Sequence, residues 1–153
     1  MAKVYLGLGT NLGDKEANLR TAIYKLQERI GKLVSLSSFY ETAPWGFESA
    51  HSFLNAAICL ETPLAPLEVL HTTQEIEKEL GRMKKSVNGI YSDRSIDIDI
   101  LLYDDLILQI PELTIPHPLM TERDFVMKPL VEIAGNVIHP VRQESLSSLW
   151  HEA

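Results

Sequence analysis

The chain has 153 residues, of which 45% are hydrophobic and 23% charged, and its formal net charge is −7 at pH 7. These values are typical of one globular domain with a sizeable core, and the acidic balance argues against a nucleic-acid or anionic-membrane partner. The N-terminal residues lack the apolar core of a signal peptide, no apolar run approaches membrane-spanning length, and the single cysteine, Cys59, cannot form an internal disulfide. We therefore expect one cytoplasmic domain over residues 1–153, without membrane association.

The first half of the chain alternates between strand and helix patterns. A β-rich run at residues 3–8 precedes a helix that Asp14 caps and Gly31 ends. Residues 33–40 and 53–60 are predicted strands on either side of a loop that contains proline and glycine. This half therefore contributes a β-α-β-β order.

The second half adds a helix, a strand and a final helix. Pro66 begins a helix that runs up to Gly81, and a polar loop at residues 82–93 leads into a strand at 94–103. A last helix at about residues 122–133 is interrupted or kinked by its internal proline. The order β-α-β-β-α-β predicts an α+β fold with a ferredoxin-like core, an antiparallel sheet with both helices packed on one face.

The strand sequence RSIDIDILLY places two carboxylates side by side. Its alternation predicts one apolar face: Ile96, Ile98, Ile100 and Leu102. Asp97 and Asp99 share the other face, with Cα atoms about 6.5 Å apart. Such a pair repels itself unless it binds a cation, and few hard oxygen ligands favour Mg²⁺ completed by substrate phosphates. The alternative is a solvated edge strand whose charges deter aggregation.

Basic and polar residues surround this strand in the sequence. Arg94 precedes the pair, and Arg82, Lys84 and Lys85 lie in the loop upstream. Several cationic side chains close together in sequence are typical of a site for a polyanionic phosphate, although an ordinary solvated loop also explains them. One row of the second predicted helix turns from apolar to polar towards this loop: Leu67, Leu70, Gln74 and Glu77. That row can face a ligand or form the solvent edge of the helix.

Two further segments bear on ligand binding. The glycines at positions 7, 9 and 13 are spaced unlike those of a dinucleotide-binding or P-loop motif, so they indicate tight turns or close backbone packing. Phe53 and Asn55 follow the aromatic loop TAPWGF, and aromatic rings with an interior amide suit a flat heterocycle. The alternative is that Phe53 belongs to the core and that the amide of Asn55 hydrogen-bonds to the backbone. His117, between two prolines, is typical of a structural turn.

Taken together, these motifs resemble those of one family. They are the glycine segment, residues 39–46, Phe53-Leu54-Asn55, the aspartate strand, and Ile115-Pro116-His117 with Arg123 and Phe125. In this order they resemble the 6-hydroxymethyl-7,8-dihydropterin pyrophosphokinase family of folate biosynthesis, over about residues 3–140. The resemblance implies a ferredoxin-like fold and transfer of the β,γ-pyrophosphate of ATP to the pterin hydroxymethyl group, with release of AMP.

The resemblance also implies roles for individual residues. Asp97 and Asp99 match the aspartates that hold two Mg²⁺ ions, and Arg82 and Arg94 match arginines that contact the phosphates and assist transfer. The expected ATP-binding residues are Leu70, Gln74, Glu77, Arg82, Lys84, Arg94, Ile100, Thr114, His117 and Arg123. The expected pterin-binding residues are Thr42, Ala43, Pro44, Trp45, Phe53, Asn55, Tyr91 and Phe125. Asn55 is expected to read the pterin edge and Phe125 to stack on the ring.

The chain departs from the family pattern mainly around one loop. Lys84 replaces a second loop arginine, Tyr91 replaces a loop tryptophan, and the stretch 86–93 is two residues longer, so closure over ATP is the feature most affected. Other replacements are Ala43 for a proline, Glu112 for an arginine and Thr10 for a serine.

Two other functions are compatible with the sequence motifs alone. A non-catalytic ferredoxin-like binding domain would leave the charged residues as surface charge, and a metal-dependent phosphohydrolase would use the same aspartates with water as the nucleophile. The aromatic loop and Asn55 favour transfer, because they provide a site for a planar acceptor. We expect a monomer, with a dimer as the alternative.

Overall fold

The computed structural model of the protein describes residues 1–42, 52–82 and 96–150. The strands are β1 (Ala2–Thr10), β2 (Lys32–Leu36), β3 (Tyr40–Thr42), β4 (Phe53–Thr62), β5 (Asp97–Tyr103), β6 (Leu108–Ile110) and β7 (Leu113–Ile115). The α-helices are α1 (Lys15–Arg29), α2 (Pro66–Glu77), α3 (Asp124–Ala134) and α4 (Leu146–Leu149). A π-helical turn, Lys78–Arg82, follows α2, and a 3₁₀ turn, Met120–Glu122, precedes α3. Across these ranges, every helix is too short or too polar to span a lipid bilayer.

The main sheet has the strand order β2-β4-β1-β5, and all its neighbours are antiparallel. β3 also pairs with β4, beside the half of β4 that β2 leaves unpaired. β6 and β7 form a separate antiparallel ribbon. The predicted α+β fold, an antiparallel sheet with helices packed on it, is confirmed.

The sheet separates two hydrophobic cores. The first core joins β1, β4 and β5 to α1 and α2, and includes Val4, Leu6, Leu8, Leu19, Leu26, Ile58, Val69 and Ile76. The second core lies on the other face under α3, and includes Ala57, Leu101, Leu102, Met120, Val126, Met127 and Leu130. Helices therefore cover both faces of the sheet.

Local interactions explain where α1 begins and ends. The side chain of Asp14 accepts a hydrogen bond from the backbone N–H of Ala17 at 3.0 Å, as predicted for its N-cap. Beyond the helix, a Cβ on Gly31 would lie 2.0 Å from the carbonyl oxygen of Glu61. Glycine is therefore required at this position by the close approach of β4, rather than by a left-handed backbone.

The predicted strand at residues 33–40 is two strands, so that prediction was wrong. Ser37 interrupts the ladder between them, since its backbone N–H donates to the carbonyl of Ala57 at 2.9 Å and its Oγ accepts from the N–H of Ala57 at 2.9 Å. Both halves still pair with β4, and β3 comes to lie beside the first residues of that strand.

A β-bulge in β5 corrects a second prediction. Tyr5 pairs with Leu102 and Leu6 pairs with Ile100, which leaves Leu101 as an extra residue. The extra residue reverses the alternation, so the side chain of Leu102 lies in the second core and not beside that of Ile100 in the first.

An ion-pair cluster fixes the turn that follows α2. Arg29 and Lys25 of α1 donate to the carboxylate of Glu79, with distances of 2.7 Å from Arg29 Nη2 and 3.0 Å from Lys25 Nζ. The hydrogen bonds from Arg29 and then Lys25 lower the pKa of Glu79 to about 2. This cluster ties the end of α1 to the turn that ends at Arg82.

His139 organises the segment between α3 and α4. Its imidazole is buried, and Nδ1 accepts hydrogen bonds from the backbone N–H groups of Val141 at 3.2 Å and Arg142 at 3.1 Å. Burial lowers the pKa of His139 below 6.5, and the positive charge of Arg142 lowers it further. The folded protein therefore holds a neutral imidazole, whose protonation would remove both hydrogen bonds.

We predict that His139 makes the protein less stable in mild acid. Below about pH 6.5 the imidazole of His139 binds a proton in the unfolded chain but not in the folded chain. The free energy of unfolding therefore falls as the pH falls towards the pKa of His139 in the folded protein. Urea unfolding from about pH 7 to 5 should show a shallower decline for His139→Asn than for the wild type, and an intermediate decline for Arg142→Gln. Parallel curves for all three proteins would contradict this prediction.

Candidate active site

The two predicted metal ligands lie together on β5. Asp97 pairs with Gly9 of β1 and Asp99 pairs with Gly7, and both aspartates are half-buried. The side chain of Ile98 between them lies in the first core. Because strand side chains alternate, both carboxylates project from the opposite face, on which α3 packs. The structure therefore places the pair on one face of an edge strand, next to residues without side chains.

The amide of Asn55 lies on the same face, two strands away. Asn55 pairs with Gly9 on one side and with Tyr40 of β3 on the other. Its side chain is buried, and Nδ2 donates to Thr42 Oγ1 at 2.7 Å. Phe53, two residues earlier in β4, projects from this face as well. The predicted pterin-binding residues Thr42, Phe53 and Asn55 are thus brought together.

A single row across the sheet connects these two groups. Asn55, Gly9 and Asp97 are neighbours in register on β4, β1 and β5. Adjacent strands are about 4.8 Å apart, so the Cα atoms of Asn55 and Asp97 are separated by about 10 Å. The Asn55 amide and the carboxylate pair therefore lie on the same face of the sheet, on either side of β1.

His117 lies at the open edge of β5. Its backbone N–H donates to the carbonyl of Leu101 at 3.0 Å, and its Nδ1 accepts from the backbone N–H of Leu119 at 3.2 Å. Burial lowers the pKa of His117, the positive charge of Arg123 lowers it further, and the negative charge of Asp97 opposes both. The charges of Arg123 and Asp97 therefore both act on the imidazole of His117.

The N-terminus of α3 carries two further predicted site residues. The guanidinium of Arg123 lies 5.6 Å from the centre of the Phe125 ring. Between them in sequence, Asp124 Oδ1 accepts a hydrogen bond from the indole Nε1 of Trp150 at 3.1 Å. The segment after α4 therefore helps to fix the start of α3, a role that the motifs did not reveal because Trp150 is 26 residues away in the sequence.

Glu77 of α2 binds β5 directly. Its side chain is buried, and Oε2 accepts a hydrogen bond from the backbone N–H of Ile98 at 2.8 Å. That N–H lies between the two aspartates, so α2 fixes the strand at the position of the carboxylate pair. The resemblance implies that Glu77 contacts the nucleotide, and the motifs did not reveal this structural role.

The other predicted nucleotide residues lie on α2, β5 and β7. Gln74 is exposed on α2, Leu70 packs partly against the first core, and Ile100 is buried in that core. Thr114 is half-buried on β7. The site role of each of these residues remains a prediction.

Part of the predicted site falls beyond the described ranges. Arg82 ends the π-helical turn, after Gly81 with its φ of 110°. The remaining predictions in this group lie outside the described residues: Ala43, Pro44, Trp45, Lys84, Tyr91 and Arg94.

The donor set of the aspartate pair fits Mg²⁺. Within residues 1–42, 52–82 and 96–150, no three His, Cys, Asp or Glu side chains are grouped so that they can hold a metal ion. Two half-buried carboxylates are nevertheless suitable for Mg²⁺, which is often held by one or two carboxylates and completed by water and substrate phosphates. Such a site binds metal best when a phosphate substrate is present.

Residues 5–135 match the model of the family described as 7,8-dihydro-6-hydroxymethylpterin-pyrophosphokinase. The chain is 56% identical over 141 residues to the 2-amino-4-hydroxy-6-hydroxymethyldihydropteridine pyrophosphokinase of Porphyromonas gingivalis, covering 92% of this chain and 95% of that protein. It is 44% identical over 152 residues to the protein of the same name from Aquifex aeolicus, covering 99% and 92%.

Solved structures agree in fold. The chain resembles wild-type Plasmodium falciparum HPPK-DHPS with a TM-score of 0.76 and 17% identity, over 97% of this chain and 44% of that one. It resembles an HPPK-DHPS crystal structure in complex with substrates with a TM-score of 0.77, and spans 42% of that chain. At this identity the likeness concerns the fold alone.

We predict that Glu77 stabilises the strand that bears the aspartates. Glu77→Leu should lower the free energy of unfolding by about 1–3 kcal/mol, because the buried N–H of Ile98 loses this acceptor. Glu77→Gln retains an acceptor oxygen and should lose less. Hydrogen exchange of the Ile98 amide should accelerate in the leucine variant and change little in the glutamine variant. Equal protection of that amide in all three proteins would show that the hydrogen bond does not hold the strand.

Proposed function

This chain belongs to the 7,8-dihydro-6-hydroxymethylpterin-pyrophosphokinase family, and from that premise we propose how it transfers pyrophosphate from ATP to 6-hydroxymethyl-7,8-dihydropterin. The pterin hydroxyl oxygen attacks the β-phosphorus, the bond from that phosphorus to the α,β-bridging oxygen breaks, the hydroxyl proton is lost, and AMP leaves. The observation that carries the proposal is the row Asn55, Gly9 and Asp97, which places a heterocycle-binding amide and a carboxylate pair on one face of the sheet.

Asp97 and Asp99 are the proposed Mg²⁺ ligands. Their mutual repulsion favours a bound cation, and the residues that oppose them on β1 are glycines. A Mg²⁺ ion held there would supply charge neutralisation of the transferred phosphates and activation of the hydroxyl as a nucleophile. Dependence on Mg²⁺ is thus part of the proposal, and the two aspartates orient the phosphates relative to the pterin.

Cationic and hydrogen-bonding groups are proposed to hold the nucleotide. Arg82, Arg94 and Lys84 would contact the phosphates, and Arg123 lies close enough to His117 to act with it. Because Nδ1 of the neutral His117 imidazole accepts from Leu119, its proton is on Nε2. We therefore assign Nε2 as a hydrogen-bond donor to the nucleotide rather than as a positive charge.

The pterin is proposed to bind between the aromatic rings and Asn55. Phe53 and Phe125 offer apolar faces for the flat ring, and ring stacking is favourable when it also removes apolar surface from water. Asn55 Nδ2 is occupied by Thr42, which leaves Oδ1 as the acceptor for N–H groups of the heterocycle. The amide and rings thus orient the hydroxymethyl group towards the aspartates.

Because the chain belongs to this family, pyrophosphate transfer replaces the two alternatives that the motifs left open, a binding domain and a phosphohydrolase. A binding domain would show no turnover, and a phosphohydrolase would release phosphate without the pterin. Product analysis distinguishes all three outcomes.

We predict that the purified protein with Mg-ATP and 6-hydroxymethyl-7,8-dihydropterin forms AMP and pterin pyrophosphate in equal amounts. Chelating Mg²⁺ should abolish both products. Asp97→Asn and Asp99→Asn should each lower kcat/KM about a hundredfold or more, because several kcal/mol of transition-state stabilisation are lost. Asp105→Asn, the same chemical change in the exposed turn after β5, is the matched control and should retain activity.

The result that would contradict the proposal is release of ADP or free phosphate in the absence of pterin. Unchanged turnover in both site variants would show that the metal is held elsewhere. Pterin and ATP binding without any product would instead favour a binding domain.

A further inference from the structure

Gly9 occupies a position where the backbone itself does not require glycine. Among the described residues, the glycines with a positive φ are Gly13 and Gly81, so Gly9 has a φ that any residue can adopt. Glycine inside a strand weakens it and often marks a point of close approach. The reason for glycine here must therefore lie in its neighbours.

The neighbour that occupies the space above Gly9 is the side chain of Asn55. A Cβ added to Gly9 would lie 3.0 Å from Asn55 Oδ1 and 3.6 Å from Phe53 Cδ1. The first distance is shorter than most contacts that a Cβ makes, so the Asn55 amide would have to shift by a few tenths of an ångström. The second is normal van der Waals contact. The amide of Asn55 thus extends across β1 because residue 9 has no side chain.

Thr42 fixes the other end of the same amide. Asn55 Nδ2 points towards β3 and donates to Thr42 Oγ1 at 2.7 Å, while Oδ1 points towards β1 and the strand that bears Asp97. The side chain of Asn55 is 3% exposed, so it has little freedom to take another rotamer. Thr42 holds Nδ2 of Asn55, and Gly9 leaves room for Oδ1.

We propose that Gly9 and Thr42 are positioning residues for pterin recognition, which together hold the Asn55 acceptor in one orientation towards the carboxylate pair. The inference rests on the proposed function, and it adds which chemical feature of the ligand the site selects. A fixed acceptor favours a heterocycle with N–H donors on the facing edge, and disfavours analogues that lack them. Neither residue needs to contact the reacting atoms.

Substitution at position 9 gives the first test. Gly9→Ala should raise the Kd for 6-hydroxymethyl-7,8-dihydropterin, measured by calorimetry with a non-hydrolysable ATP analogue and Mg²⁺ present, by about tenfold or more, the loss of one well-placed hydrogen bond. The Kd for the nucleotide should stay within about twofold. Gly7→Ala is the matched control, since the atoms nearest to its Cβ would be those of the Leu101 side chain, from 3.4 Å, and pterin affinity should change little.

Substitution at position 42 gives an independent test, which remains available if Gly9→Ala fails to fold. Thr42→Val removes the hydroxyl that holds Nδ2 and should weaken pterin binding, whereas Thr42→Ser retains it and should restore affinity. The KM for pterin should rise in Gly9→Ala and Thr42→Val while the KM for ATP does not.

The outcomes separate this inference from the proposed function. Unchanged pterin affinity in Gly9→Ala, or equal effects of Thr42→Val and Thr42→Ser, would overturn the inference while wild-type turnover keeps the function intact. Loss of nucleotide and pterin affinity in parallel would also overturn it, because it would indicate a general disturbance of the sheet. If the wild-type protein neither bound pterin nor formed AMP, the function would fail and the inference with it.

Discussion

The pairing of β1 between β4 and β5 is the constraint on which the site depends. Backbone hydrogen bonds on both edges of β1 align Gly9 with Asn55 and with Asp97. A slip of one residue would turn each side chain to the opposite face and separate the amide from the carboxylates. The register is held by the burial of Val4, Leu6 and Leu8 in the first core. Exposing such side chains costs about 1.5–3 kcal/mol each, so stability and site geometry are set by the same contacts.

Helices support the candidate site from both faces of the sheet. α2 lies on the far face, yet Glu77 binds the backbone of β5 between the aspartates. α3 covers the near face and presents Arg123 and Phe125 from its first turn, which Trp150 helps to hold. The candidate site therefore depends on helices from both faces of the sheet.

Periodicity and local signals predicted the fold well, because α1, α2 and the strands depend mainly on residues close in sequence. The cap at Asp14 and the proline at the start of α2 are of this kind. The errors came from long-range contacts. The break at Ser37 depends on Ala57, and the bulge at Leu101 depends on how β5 meets β1, which no alternation pattern contains.

The candidate site was predictable to a different extent. Residues on one strand, such as the aspartate pair, follow from alternation, and the grouping of Asn55 with Thr42 agrees with the pterin set expected from the resemblance. The structural role of Glu77 was not predictable, since a buried carboxylate bound to a backbone N–H has the same sequence signature as one that faces a nucleotide. The signal for Gly9 was present, as a strand glycine without a turn, but its meaning required the position of Asn55.

The central claim is that Asp97 and Asp99 hold divalent ions together with the nucleotide. Its most direct test is electron paramagnetic resonance of Mn²⁺, used in place of Mg²⁺, titrated into the protein with and without a non-hydrolysable ATP analogue. We predict about two bound ions per chain with the analogue present, weak binding without it, and loss of ions in Asp97→Asn and Asp99→Asn. Mn²⁺ binding that ignored the nucleotide, or that was unchanged in both variants, would contradict it.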